Sequence, residues 1–287
     1  MHLGPGDDAA VVGAPDGRVV ATTDMLVEGR HFRRDWSSAT DVGHKAATQN
    51  LADVAAMGAV PTALLVGLAV PADIPAEWTE GLADGLREEC AVAGAAVVGG
   101  DLVRAESITL GVTALGDLQG RPPLTRGGAR AGDAVAVAGR LGWSAAGLAL
   151  LDRELDGPSE VITAHRRPRA PYAAGPQAAR AGASALIDVS DGLVADLGHI
   201  AEASGVQVDI DSASVTPGPE LAEAARRLDA EPARWVLTGG EDHALAAMFP
   251  ATVDPPPPWT VIGCVRDGSG VTVDGEPHDL AGFDHFR

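Results

Sequence analysis

Short runs rich in Val, Ile and Leu alternate along this chain with longer Ala- and Leu-rich stretches of helical period, and that alternation confines it to layered α/β and α+β architectures. Residues 60–70, 95–100 and 106–116 read as strands, whereas about 40–57 and 75–93 read as helices. In the first helix Val42, Ala46, Leu51, Val54 and Ala55 keep helical spacing, Gly58 supplies the stop, and Lys45, Asn50 and Asp53 ride along. Upstream, 8–23 reads as a hairpin of two short strands around the turn Pro15-Asp16-Gly17. The Gly- and Arg-rich stretch from Arg121 to Gly132 marks a boundary, dividing the chain into an N-terminal domain, 1–130, and a C-terminal domain, 131–287. Beyond it come a strand at 133–138, helices within 142–182, a strand at 184–188, a helix at 191–204 and a strand at 206–211. The second half is therefore also α/β or α+β, with Pro255 to Pro258 a stiff surface connector.

Composition narrows the chemistry. At 287 residues and 46% hydrophobic content the chain can build sizeable cores, and with aromatics at only 3% those cores must be packed from Ala, Val and Leu. A net charge of −19 repels nucleic acid and anionic membrane surfaces, which excludes both as partners. Lys45 is the only lysine, so a bound phosphate must be held by arginines, backbone amides or metal ions bridged to carboxylates. Cys90 and Cys264 form no CxxC pair, which suggests neither a disulfide framework nor a zinc site and suits a reducing cytoplasm. The N-terminus lacks the pattern of a secretory leader, and no apolar run reaches the roughly 18 residues of a membrane span.

The strongest chemical signal is a series of aspartates in Gly- or Thr-rich settings. They are Asp7 and Asp8 in GPGDDAAVV, Asp24 in ATTDMLVEGRHF, Asp53 in NLADVAAMG, Asp101 in VVGGDLVR, and Asp188 and Asp191 in LIDVSDGLVADL. Any one of them alone reads as a turn former or helix cap, Asp191 above all. Asp101 and Asp188, however, follow apolar strands, where ligand sites of α/β proteins gather, and carboxylates brought together there repel unless a cation neutralises them. Magnesium prefers such oxygen ligands in combination with water and substrate phosphates. No P-loop is present, because His44 precedes the sole lysine. Gly4-Pro5-Gly6 imitates a dinucleotide fingerprint but leads into β-prone residues, and no HExxH zinc motif occurs. His31, just after the Asp24 segment, is the histidine most worth following.

Six segments in order resemble the thiamine-monophosphate kinase family: Gly-Asp-Asp-Ala-Ala at 6–10, Thr-Thr-Asp with Leu-Val-Glu-Gly and His-Phe at 22–32, Asn-Leu-Ala-Asp-Val-Ala-Ala-Met-Gly-Ala-Val-Pro at 50–61, Gly-Gly-Asp at 99–101, Asp-Val-Ser-Asp-Gly-Leu at 188–193 and Gly-Gly-Glu-Asp at 239–242. The resemblance implies a two-domain fold like that of aminoimidazole-ribonucleotide synthetase. It has an N-terminal α/β half, a C-terminal α+β half and a homodimer formed through the N-terminal sheets. It further implies ATP as co-substrate and Mg2+ as cofactor. Asp7, Thr22, Thr23, Asp24, Asp53, Asp101, Asp188 and Asp191 look like metal ligands, with Asp24, Asp53 and Asp191 the ones nearest the chemistry. Gly100, Asp101, Arg126 and Ser190 look like nucleotide contacts, and His31, Glu241 and Phe283 like acceptor contacts. The chain departs from the family pattern at His243, where Tyr is common, and at Phe283, where Trp is common. It also opens almost directly at the Gly-Asp-Asp motif, where family members usually carry a helical segment.

The expected reaction is transfer of the γ-phosphoryl group of ATP to thiamine monophosphate, directly and in line. Such a transfer relies on alignment and charge stabilisation rather than on a covalent side-chain step. The competing readings are another ATP-using synthetase of the same superfamily and a non-enzymatic acidic metal- or nucleotide-binding protein. The latter would show a compact loop such as DxDxDG, and none is present.

Overall fold

A computed structural model describes residues 12–278. In chain order, β1 (Val20–Val27), α1 (Ala39–Ala56), β2 (Val60–Val70), α2 (Ala76–Ala93), β3 (Ala96–Arg104) and β4 (Thr109–Asp117) make the first half. Among the described residues their strands form a four-stranded sheet ordered β1-β4-β2-β3. α2 crosses between β2 and β3, so these two run parallel, while the other neighbours are antiparallel. Ser38 starts α1 with a capping box: its hydroxyl accepts the Asp41 N–H while the Asp41 carboxylate accepts the Ser38 N–H. Strict alternation along β4 turns Leu110, Val112 and Ala114 toward both helices, where they bury with Leu26, Leu51, Leu64 and Leu82. The opposite face of the sheet stays open and carries exposed Met25, Leu65 and Val103.

The second half comprises β5 (Ala134–Ala138), α3 (Trp143–Asp152), α4 (Ser159–Arg166), α5 (Ala174–Ala181), β6 (Ala185–Val189), α6 (Leu193–Ser204), β7 (Gln207–Ile210), α7 (Pro219–Leu228), α8 (Pro232–Thr238), β8 (Ala244–Phe249), β9 (Thr260–Arg266), β10 (Gly270–Val273) and β11 (Glu276–Pro277). Among the described residues its strands lie in one sheet, ordered β11-β10-β7-β9-β5-β8-β6, antiparallel except for β7 and β10. α6 covers one face through Leu193, Leu197 and Ile200. A separate core on the other side takes in the end of α1: Ala55 and Ala56 pack with Ala138, Ala174, Leu186 and Phe249. The small side chains expected from the composition let helix and sheet approach closely here. A strap between α4 and α5 reinforces the join: Arg167 pairs with Asp41, and the buried Tyr172 hydroxyl donates to Glu89 Oε1 at 2.6 Å.

Two strands run further than the sequence suggests. β1 continues through Asp24 to Val27 because β4 pairs with it residue by residue, from Val20 opposite Gly116 to Val27 opposite Thr109. β3 continues through Asp101 to Arg104 because β2 supplies partners as far as Val70. Pairing across the sheet outweighs the poor strand preference of Gly and Asp. Asp24 and Asp101 therefore lie within strands and not in loops at strand ends. Most of the first arm of the expected hairpin falls outside the described residues. Among the described residues no helix is long and apolar enough to cross a membrane.

Candidate active site

The period of two along β1 turns Thr22 and Asp24 toward α1, on the same side as buried Leu26. There the Thr22 hydroxyl donates to Asp53 Oδ2 at 2.8 Å, and the Asp24 amide donates to the Asn50 side-chain oxygen at 3.1 Å. Asn50 is fully buried and in turn donates to the Ala46 carbonyl at 2.9 Å. Asn50 and Asp53, three apart on the helix, thus present one polar stripe to β1. β6 brings Asp188 to the same region as a 7% exposed carboxylate, and the segment before β8 brings His243.

These charges act on one another. Burial, then the Asp188 carboxylate, lifts the Asp53 pKa from 3.8 to about 7; Asp24 adds to the rise, and the Thr22 hydrogen bond opposes it. Burial alone would depress the His243 imidazole, but Asp188 with Asp53 and Glu241 raises it. The His243 Nδ1 to Asp188 Oδ2 distance is 3.7 Å, too long for a hydrogen bond, and both atoms are buried without a hydrogen-bond partner.

A second pair of segments frames this cluster. The Glu241 amide donates to the Ser190 carbonyl at 2.7 Å and the His243 amide to Val189 at 3.1 Å, extending the β6–β8 ladder beyond the strands. A Cβ on Gly240 would fall 2.4 Å from the Ser190 carbonyl oxygen, which explains the Gly of the Gly-Gly-Glu-Asp segment at that place. Glu241 and His243 both hold left-handed backbone, at φ of 63° and 52°. Asp242 between them accepts the Ser144 amide at 2.9 Å and so caps the start of α3, while burial lifts its pKa to about 7. Asp196 caps in the same manner: its Oδ2 accepts the amides of Asp191 and Gly192 at 3.0 and 3.1 Å. Burial, then Asp188, lifts its pKa also to about 7.

Thr22, Asp24, Asp53 and Asp188 are thus brought together, with Ser190 and Asp191 at the start of α6 beside them. Thr23 is not, since its side chain lies on the opposite face of the sheet and donates to the Val112 carbonyl at 2.9 Å. Asp101 is also apart: β3 is the other edge of the sheet, roughly 14 Å across three strand spacings, and Asp101 opposes Gly67 on the open face. Gly100 has a packing reason of its own, because a Cβ there would sit 2.0 Å from the Val66 carbonyl oxygen. Gly99, Gly100 and Leu102, with Val66, Leu82 and Leu86, line an open groove of about 470 Å³ between β3 and α2. Arg126 is exposed in a short turn, Arg126–Gly128, that runs beside β6, where Leu186 donates to the Thr125 carbonyl at 3.3 Å. His31 accepts the Val27 amide on Nδ1 at 3.0 Å. Asp7 and Phe283 lie outside the described residues.

Among the described residues no three His, Cys, Asp or Glu side chains already surround one point as a metal centre. The donor set nonetheless fits a hard divalent cation that brings water and phosphate as its remaining ligands. Asp24, Asp53 and Asp188 repel one another, and Asp188 Oδ2 has no hydrogen-bond partner. Sequence reasoning missed Asp196 and Asp242, whose capping partners become visible only in the folded chain.

The fold and this carboxylate cluster define a class. Residues 6–118 match the family described as AIR synthase related protein, N-terminal domain. Over longer spans, the thiamine-monophosphate kinase of Mycobacterium tuberculosis is 52% identical over 276 residues, covering 96% of this chain and 82% of the relative. That of Escherichia coli K12 is 38% identical over 313 residues, covering 100% and 92%. A solved structure described as AaThiL complexed with AMPPCP and TMP superposes with a TM-score of 0.88 at 36% identity, covering 98% of this chain and 91% of that one. The chain belongs to the thiamine-monophosphate kinase family and is a kinase.

Proposed function

We propose that this kinase transfers the γ-phosphoryl group of ATP directly, in line, to thiamine monophosphate, giving thiamine diphosphate, with magnesium as cofactor. The observation that carries the reading is the cluster of the Asp24, Asp53 and Asp188 carboxylates with the Thr22 hydroxyl, drawn from β1, α1 and β6. The family relationship and the relative complexed with an ATP analogue and TMP support it.

Asp24, Asp53 and Asp188, with Thr22 against Asp53 and Asp191 beside them, would hold magnesium, and Asp7 joins the proposed set on the family resemblance; Thr23 and Asp101, whose side chains lie on the open face of the sheet, fall outside it within one copy of the chain. Magnesium held there would offset the negative charge of the phosphates. Asp53, held partly protonated near neutrality by burial and then by Asp188, would have to give up its proton to serve as a ligand. Gly100, Asp101, Arg126 and Ser190 are assigned to the nucleotide, and His31, Glu241 and Phe283 to the acceptor. No side chain need act as a strong base, because a phosphate monoester with its second pKa near 6 is largely ionised at neutral pH. What the protein must do is align two anions and exclude water.

We further propose a homodimer through the first sheet. Exposed Met25, Leu65 and Val103 on its open face, and the edges β1 and β3, support this. The division into an N-terminal nucleotide- and metal-binding half, 1–130, and a C-terminal half, 131–287, is supported by the two sheets falling on either side of the connector. A reducing cytoplasm suits the free thiols Cys90 and Cys264.

The test supplies purified protein, ATP and magnesium with thiamine monophosphate or, in parallel, with free thiamine. Thiamine diphosphate formed from the monophosphate alone is the expected result. ATP binding without turnover of either acceptor would transfer the assignment to another synthetase of the superfamily.

A further inference from the structure

Lys45, the only lysine of the chain, sits within α1 at 2% exposure. A buried ammonium costs several kcal/mol unless it is paired, so packing alone would favour Leu or Met at such a place. Lys45 has partners from two remote segments. Its Nζ donates to the His31 carbonyl at 2.9 Å and to Glu241 Oε2 at 3.1 Å, the latter 196 residues away in sequence. Glu241 stands in a left-handed conformation that a side-chain-bearing residue adopts only when its surroundings impose it. From the other side His165 Nδ1 approaches the same carboxylate at 3.5 Å and also lies 3.1 Å from the Ser144 hydroxyl. The Glu241 side chain still keeps 35% of its surface open, so a residue held from behind by Lys45 and His165 remains within reach of a ligand. Asp53 lies eight residues further along α1, roughly 12 Å.

We propose that Lys45 is a positioning residue for the phosphoryl acceptor. By tying Glu241 and the His31 backbone to α1, it sets the acceptor-side segments in register with the Asp53 cluster on the same helix. The inference rests on the kinase reading above, since acceptor affinity is its readout. Lys45 itself touches no reacting atom.

Steady-state kinetics with thiamine monophosphate, and titration with AMPPCP, test it. Lys45→Met should raise KM for the acceptor about tenfold or more while AMPPCP affinity stays within about twofold. Because Lys45 acts in large part through Glu241, the Lys45→Met/Glu241→Gln double variant should lose clearly less than the product of the two single losses. If Lys45→Met does not fold, Lys45→Arg carries the test: it displaces the charge, raises the acceptor KM about three- to tenfold, and loses that effect in a Glu241→Gln background. Losses that multiply in the double variants, or an unchanged acceptor KM in a folded Lys45→Met or Lys45→Arg protein, overturn the inference alone. Absence of wild-type turnover overturns the activity, and the inference with it.

Discussion

Asp53→Asn should stabilise the metal-free protein while removing its activity. Burial, then the Asp188 charge, holds the Asp53 pKa at about 7 in the folded chain against 3.8 ordinarily. The folded value exceeds the unfolded one, so the native state binds the proton more tightly and stability falls as pH rises. The loss begins near pH 4 and is complete just above pH 7. A displacement of that size corresponds to a ceiling on the order of 4 kcal/mol, and relaxation of neighbouring groups and water reduces it. Asparagine carries no charge yet keeps a carbonyl oxygen for the Thr22 hydroxyl. It should therefore recover about 1–3 kcal/mol at pH 8 in EDTA, a Tm gain of about 2–10 °C for a chain of this size. At pH 5.5 the gain should shrink to about half. Magnesium should raise the wild-type Tm and leave that of the variant nearly unchanged. Thermal unfolding at both pH values, with EDTA and with magnesium, reads all four states. A variant less stable than wild type at pH 8 in EDTA, or a gain as large at pH 5.5, would refute the reasoning.

Gly100→Ala should push β3 from β2, because the added Cβ meets the Val66 carbonyl oxygen at 2.0 Å. A stability loss of about 2 kcal/mol or more in urea titration is expected, together with weaker AMPPCP binding. Met25→Glu combined with Val103→Glu places charge on the open apolar face. Sedimentation should show wild type at twice the 29.1 kDa chain mass and the variant at that mass, still folded; a dimeric variant would place the interface elsewhere.

The spans read from sequence as 60–70 and 75–93 appear as β2, Val60–Val70, and α2, Ala76–Ala93, because periodicity and stop signals there are local. The ends of β1 and β3 were not legible, since they depend on partners in β4 and β2. Asp24, Asp53 and Asp188 stand out in the sequence among the aspartates in Gly- or Thr-rich settings, and the fold gathers them. The opposite placement of Thr23 was readable in principle, because strand alternation separates it from Thr22 and Asp24. Asp196 resembled any helix-surface acid until its contacts with the Asp191 and Gly192 amides were seen. The role of Asp242 hangs on Ser144, 98 residues away. Lys45 was conspicuous as a lone lysine, yet nothing local in the sequence pairs it with Glu241.

The most direct test of the central claim, that the carboxylates of β1, α1 and β6 act as one cation clamp on the phosphates, is turnover of thiamine monophosphate against magnesium concentration for wild type, Asp24→Asn, Asp53→Asn and Asp188→Asn. Each substitution should lower kcat/KM at least about a hundredfold, about 3 kcal/mol or more, and shift the magnesium dependence to higher concentration. Folded Asp24→Asn or Asp53→Asn proteins that turn over within about threefold of wild type would contradict it.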